Sequence, residues 1–243
     1  MRKIPYKKDL KGQGLTEYIL ILAIIVIGTV ATLQITGYSV RDVYCAAIEG
    51  LGGTAQTCQT EQVYCDDGFD NLDNWTSQYG GWTNQDGKMC TSAGAKNYST
   101  CSQNMDNMSD YTVYISGAEL TKGNGYGVFF RGTDMGGRTD GYIVQYDPGW
   151  RGGAIIMRKW INGRETAPFA TKRLPGYAWY NEPHDLKIDV RGNTFTVYLD
   201  GEEVLIGQDD TYTEGGVGTR SWDNTTVCFD GIKVSEVSAQ GEE

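Results

Sequence analysis

Residues 186–205 read LKIDVRGNTFTVYLDGEEVL, and their alternation decides the fold. Leu186, Ile188 and Val190 alternate with polar residues up to Gly192-Asn193, and Phe195, Val197 and Leu199 resume the same period. Period-two patterning around a two-residue Gly/Asn break is the mark of an antiparallel hairpin. Asp200-Gly201 then opens a second hairpin into Val204-Leu205-Ile206. Working outward, the same pattern predicts strands at 111–115, 126–131, 141–146, 154–160, 216–219 and 227–237. No comparable helical period occurs after residue 50, so the body of the chain is expected to be an antiparallel β-sandwich.

The N-terminal part has a different character. Leu15–Ile35 (LTEYILILAIIVIGTVATLQI) carries a single charge, Glu17, and is long enough to span a bilayer. Arg2, Lys3, Lys7, Lys8 and Lys11 precede it and would be held on the cytoplasmic side. An amphipathic continuation runs to the Gly50/Gly52/Gly53 stop. The expectation is one helix over residues 13–50, ~57 Å long. The fold class expected for the whole chain is therefore α+β: a long hydrophobic helix, a linker over 51–64, a sandwich over 65–239 and a tail over 240–243.

Charge divides along the same boundary. The chain has 21 Lys+Arg, 31 Asp+Glu and one His, for a net charge of -10. Setting aside the five basic and one acidic residues of positions 1–12 leaves -14 on residues 13–243. An acidic body of this kind is not the footprint of a nucleic-acid binder. The single histidine leaves one way to build a Ser/His/Asp triad, through His184. Its place after Pro183, at the start of a strand, reads as a solvated or turn histidine.

The leader residues carry a resemblance. Lys11-Gly12-Gln13-Gly14-Leu15-Thr16-Glu17-Tyr18, followed by an aliphatic run, resembles a type IV prepilin of the Flp/Tad class. The resemblance implies a leader at 1–12, cut between Gly12 and Gln13 by a prepilin peptidase. It also implies filament assembly through Gln13, Glu17 and Tyr18. A carboxylate near the end of an apolar helix needs a partner, and the new α-amino group of a neighbouring Gln13 would supply one. The partners expected are then the membrane for the precursor, the pilus assembly machinery and further copies of the chain. The mature form would be an extracellular surface pilus.

The body resembles the concanavalin-like, laminin-G-like jelly rolls, including levan-binding-type modules and the family with 3-keto-glycoside hydrolases. The carriers are Phe69-Asp70-Asn71-Leu72 with Trp75 and Trp82, GYGVFFRG (125–132), DGYIVQYD (140–147), GNTFTVYLDGEEVL (192–205), GGVGTR (215–220) and CFDGIKV (228–234). In such folds the first and last strands are neighbours, which implies that Asp66–Phe69 lie near Cys228–Val234.

Six cysteines in an exported chain suggest three disulfides, with fifteen connectivities open. Cys90 and Cys101 can close a local loop. Adjacent terminal strands would pair Cys65 with Cys228, leaving Cys45 with Cys58. Sequons stand at Asn74, Asn97, Asn107 and Asn224.

The resemblance also frames the chemistry. The hydrolase branch uses an Arg and a Glu-x-Gln on adjacent strands. Arg131 and Gln145 match the Arg and the Gln, but Ile143 stands where the carboxylate would be. Isoleucine offers no titratable group, so no enzyme is expected. Sugar binding needs only aromatic faces and polar groups, and the candidates are Arg131, Gln145, Asp147, Trp150 and Trp179. The acidic loop 207–214 offers oxygen ligands for Ca²⁺; no other cofactor is implied. The leading expectation is a structural pilin with a lectin-like head. The alternatives are a carbohydrate-binding minor pilin or adhesin and, more remotely, an anchored glycoside-active enzyme.

Overall fold

The computed structural model describes Cys45, Ala47, Ile48, Leu51 and residues 62–91, 107–134, 138–222 and 224–236. The chain divides into two units, residues 1–60 and 61–243. The elements described in the second unit are all strands, and they correct the α+β expectation to an all-β architecture. Among the described residues, no helix is long and apolar enough to cross a membrane. Cys45, Ala47 and Ile48 are helical, but the rest of the expected helix, the leader and Gly12, Gln13, Glu17 and Tyr18 lie outside the described residues.

The strands are β1 (Val63–Asp67), β2 (Thr83–Gln85), β3 (Lys88–Thr91), β4 (Tyr111–Lys122), β5 (Tyr126–Asp134), β6 (Thr139–Asp147) and β7 (Ala154–Ile161). They continue as β8 (Arg164–Arg173), β9 (Pro183–Arg191), β10 (Thr194–Leu199), β11 (Glu202–Gln208), β12 (Gly216–Ser221), β13 (Thr226–Phe229) and β14 (Gly231–Glu236). Nine form one sheet, in the order β11-β10-β9-β4-β13-β3-β2, with β14 also on β4 and β1 on β14. Five form the other, in the order β12-β5-β6-β7-β8.

Local sequence explains the connections. Asp86-Gly87, Asn162-Gly163 and Asp200-Gly201 each place two successive residues at positive φ. That is the type I′ geometry that matches the twist of a two-residue hairpin. Positions 227–237, read as one strand, are two strands split at Asp230. Gly117 makes room for the break: a Cβ there would lie 2.3 Å from the Asp230 carboxylate. β8 escaped the sequence reading because RETAPFATKR lacks alternation and holds Pro168, both tolerated on a sheet edge.

The core lies between the sheets and is rich in aromatic residues. Tyr126 stacks on Tyr146 at 4.9 Å and Phe130 on Tyr142 at 5.2 Å. Phe195 of β10 meets Phe130 edge-on at 4.9 Å. The terminal strands pair as expected, with Asp66 opposite Lys233 and Asp67 opposite Ile232. The disulfide does not follow them. Cys228 faces Cys90 across β13 and β3, and these two form the bond. β3 stands between β13 and β2, a position that the order of elements in the chain does not reveal. The expected Cys65–Cys228 and Cys90–Cys101 bonds are therefore both excluded. Cys45 and Cys65 are disulfide-bonded, while Cys58 and Cys101 lie outside the described residues.

Candidate functional site

Alternation along the five-stranded sheet separates its two faces. Tyr142, Val144 and Tyr146 of β6, with Ile155 and Met157 of β7, enter the core. Gln145 and Asp147 therefore point to the opposite face, as do Arg158 and Trp160. On that face Ile143 is fully buried against Phe129 and Trp160. The position the resemblance assigned to a carboxylate is thus sealed by apolar contacts.

Above this floor a polar cluster closes. Arg158 Nε donates to Gln145 Oε1 at 2.9 Å, and Gln145 Nε2 donates to Glu165 Oε2 at 3.2 Å. Glu165 pairs with Arg158 at 3.0 Å and with Arg220 at 2.8 Å. Arg220 stands on β12 and Glu165 on β8, the two edges of the sheet, so their contact bridges across the face. Register shifts on either side of Arg158 mark irregular pairing between β7 and β8 near the start of β8.

Indole rings flank the guanidinium groups. Arg158 lies 4.7 Å from the centre of the Trp150 ring. Arg220 lies 4.6 Å from that of Trp160 and 5.3 Å from that of Trp222. Gly125 permits the approach of Trp222, since a Cβ there would sit 3.0 Å from that ring and 1.9 Å from the Tyr146 carbonyl oxygen. The Asp147 carboxylate accepts the Trp150 backbone N–H at 2.9 Å. Burial pushes the Asp147 carboxyl up, and the nearby charge of Glu165 adds to this. The N–H groups of Trp150 and Gly149 and the Arg158 charge pull against it without cancelling it.

Of the five sugar-binding candidates, the structure brings Gln145, Asp147 and Trp150 together. Arg131 is elsewhere. It sits at positive φ in a bulge of β5, 2% exposed. Its guanidinium donates to the Ser109 carbonyl at 2.8 Å and to the Tyr212 carbonyl at 2.9 Å. It also lies over the Phe195 ring at 5.4 Å. Arg131 clamps two loops together and stands apart from the Gln145–Asp147–Trp150 cluster. Trp179 is buried against Tyr146 at 4.7 Å and Tyr177 at 5.0 Å, in the core wall.

The residues that the sequence reading missed are Arg158, Trp160, Glu165, Arg220 and Trp222. The signal available was an arginine and a tryptophan at even spacing in β7, out of phase with Met157.

The remaining candidates fall away from this face. His184 is buried, not a solvated turn residue. Its Nε2 meets the Ala178 carbonyl at 2.7 Å, and its Nδ1 meets Asp200 at 2.8 Å and the Tyr177 hydroxyl at 2.6 Å. In the loop offered for Ca²⁺, Asp209 is already occupied by Lys159 at 2.7 Å and the Tyr142 hydroxyl at 2.8 Å. Among the described residues no group of three His, Cys, Asp or Glu is placed to hold a metal. Asn74, Asn107 and Asn224 are exposed, and Asn97 lies outside the described residues.

Two twisted antiparallel sheets with adjacent terminal strands define a galectin-like jelly roll. The chain belongs to the 3-keto-alpha-glucoside-1,2-lyase-like domain family, whose profile matches residues 64–235. Levanase of Bacillus subtilis (strain 168) is 29% identical over 161 residues, which cover 65% of this chain and 22% of the levanase. The chain thus spans about a fifth of that relative's length. Carbohydrate binding module CBM66 from Bacillus subtilis superposes with a TM-score of 0.55 at 24% identity, over 67% of this chain and 96% of the module. A lectin from Bauhinia forficata, solved in complex with GalNAc, gives 0.56 at 12% identity, over 74% of this chain and 100% of the lectin.

Proposed function

We propose that the sandwich is a carbohydrate-binding module and that its site is the Trp150–Arg158–Glu165–Arg220–Trp222 face. The observation that carries the reading is the combination of half-buried indoles with buried, hydrogen-bonded polar groups on one sheet face. Indole faces suit the apolar faces of sugar rings, and guanidinium, amide and carboxylate groups suit hydroxyls. Relatives named as a levanase and as a carbohydrate-binding module support the same reading. Binding rather than catalysis is favoured by Ile143, which removes the carboxylate that the resemblance would need. The test is a broad glycan array probed with the full chain. Specific binding that is lost in Trp150→Ala supports the assignment, and silence across neutral and acidic glycans overturns it.

The module is placed outside the cytoplasm in this reading. The Cys90–Cys228 disulfide supports it, because such bonds persist in oxidising compartments. The prepilin-like residues 11–18 offer a route to the surface as a pilus-borne adhesin, a reading that rests on sequence alone. N-terminal sequencing of the mature chain tests it: a start at Gln13 supports it and any other start refutes it.

A further inference from the structure

We infer that the loops at one end of the five-stranded sheet form a further sugar subsite, in which Asp147, Asn124 and Tyr180 take one residue of a neutral glycan. This rests on the carbohydrate-binding reading and adds to it two residues, Asn124 and Tyr180, and a ligand class.

Three segments meet at this end. They are the turn between β4 and β5 (123–125), the loop after Asp147 (148–153) and the connection from β8 to β9 (174–182). The Tyr180 hydroxyl donates to the Gly123 carbonyl at 2.8 Å and ties the third segment to the first. Asn124 rests on the second, since a Cβ on Gly149 would lie 3.1 Å from its Oδ1. The N–H groups of Trp150 and Gly149 in turn bear on Asp147. The Asp147 charge also reaches Tyr180, whose hydroxyl is pushed up first by burial and then by that charge. The turn itself is firmly seated, because a Cβ on Gly123 would lie 2.4 Å from the Thr225 Cα.

What these groups leave open suits hydroxyls. The Trp150 N–H occupies Asp147 Oδ1, and Oδ2 accepts no hydrogen bond among the described residues. Asn124 is exposed and its amide makes no hydrogen bond among those residues, so it can both donate and accept. Tyr180 is 39% exposed, and its anchored hydroxyl fixes the ring, so stacking a sugar on it costs little further ordering.

Charge sets the ligand class. The neighbouring ion-pair network is closed. Arg158 donates to Gln145 at 2.9 Å and to the Thr166 carbonyl at 3.0 Å, and Glu165 pairs with Arg158 at 3.0 Å and with Arg220 at 2.8 Å. Two arginines against Glu165 and Asp147 leave no net formal charge, so the face does not call for an ionic ligand. An open carboxylate oxygen accepts hydroxyl hydrogens strongly and repels a sugar acid.

The test titrates the full chain, its Asn124→Ala, Tyr180→Ala and Asp147→Asn variants and, as the control for the main site, Trp150→Ala. The probes are neutral gluco-, manno-, galacto- and fructo-oligosaccharides, with a galacturonate oligosaccharide as the acidic counterpart. On the tightest neutral probe, Tyr180→Ala and Asp147→Asn are each expected to weaken binding about tenfold, and Asn124→Ala about threefold to tenfold. The galacturonate should bind at least about tenfold more weakly than that probe. The Asn124 side chain is exposed, so its replacement keeps the fold, and thermal melting certifies every variant. Neutral binding that is lost in Trp150→Ala but unchanged in folded Asn124→Ala or Tyr180→Ala overturns the subsite and spares the carbohydrate reading. A preference for galacturonate overturns the inference in the same way. Silence of the wild-type chain on every probe overturns both.

Discussion

Replacing Arg131 by methionine separates a structural arginine from a ligand-binding one. The wild-type guanidinium donates to two carbonyls, Ser109 at 2.8 Å and Tyr212 at 2.9 Å. Hydrogen bonds from a charged donor contribute about 1.5–3 kcal/mol each. The loops that carry these carbonyls are partly open, so water recovers some of the loss. The Asp110 partner at 3.4 Å is half-exposed and contributes little. Methionine keeps most of the packing against Phe195. A loss of about 3 kcal/mol is expected, or about 6–12 °C in Tm for a sandwich of this size. Calorimetry measures the loss, and glycan retention per folded molecule should be unchanged. A Tm within about 2 °C of wild type would refute the clamp, as would a folded variant that no longer binds the wild-type ligand.

Four other outcomes can be measured. Trp150→Ala should weaken glycan binding by at least about tenfold, with a smaller fall in Tm than Arg131→Met; retained affinity would move the site elsewhere. Asp209 should govern part of the acid limb of stability. Burial alone would raise its carboxyl, but Lys159, Thr211 and Tyr142 outweigh this and hold it well below the usual range. Its stabilisation is therefore complete above an unfolded value of ~3.9 and is lost as pH falls through the folded one. Urea titrations of Asp209→Asn should show a lower plateau at neutral pH and a flatter acid limb. Exchanging Cys90 and Cys228 together for serine opens a loop spanning a separation of 138 residues and should cost between about 2 and 5 kcal/mol, read as a lower urea midpoint. Gly153→Ala places a Cβ 2.4 Å from the Trp179 indole nitrogen at a positive φ, so tryptophan fluorescence and Tm should both change.

The sandwich was legible because its signals are local. Alternation from Leu186 to Leu199 and the Asp200-Gly201 pair need no distant information to be read. The site was legible only in part. Gln145, Asp147 and Trp150 lie in one continuous stretch, and reading one strand finds them. Glu165 and Arg220 come from opposite edges of the sheet, and their meeting depends on how the sheet and its edge strands bend. Arg131 misled because a bulge after Phe130 breaks the alternation that would have placed it on the outer face. The cysteines misled for a related reason. Adjacent terminal strands were expected correctly, but β3 reaches β13 from the other side and takes Cys228 first.

The Cys90–Cys228 bond also has a mechanical meaning. All five strands of the site-bearing sheet lie between these two residues in the chain. A pull applied between β3 and β13 is carried by that covalent link and not by the hydrogen bonds of the ladder between them. The strands enclosed by the loop are therefore shielded from a load that reaches the sandwich at those two strands, and the link acts as a fixed stop when the ladder opens.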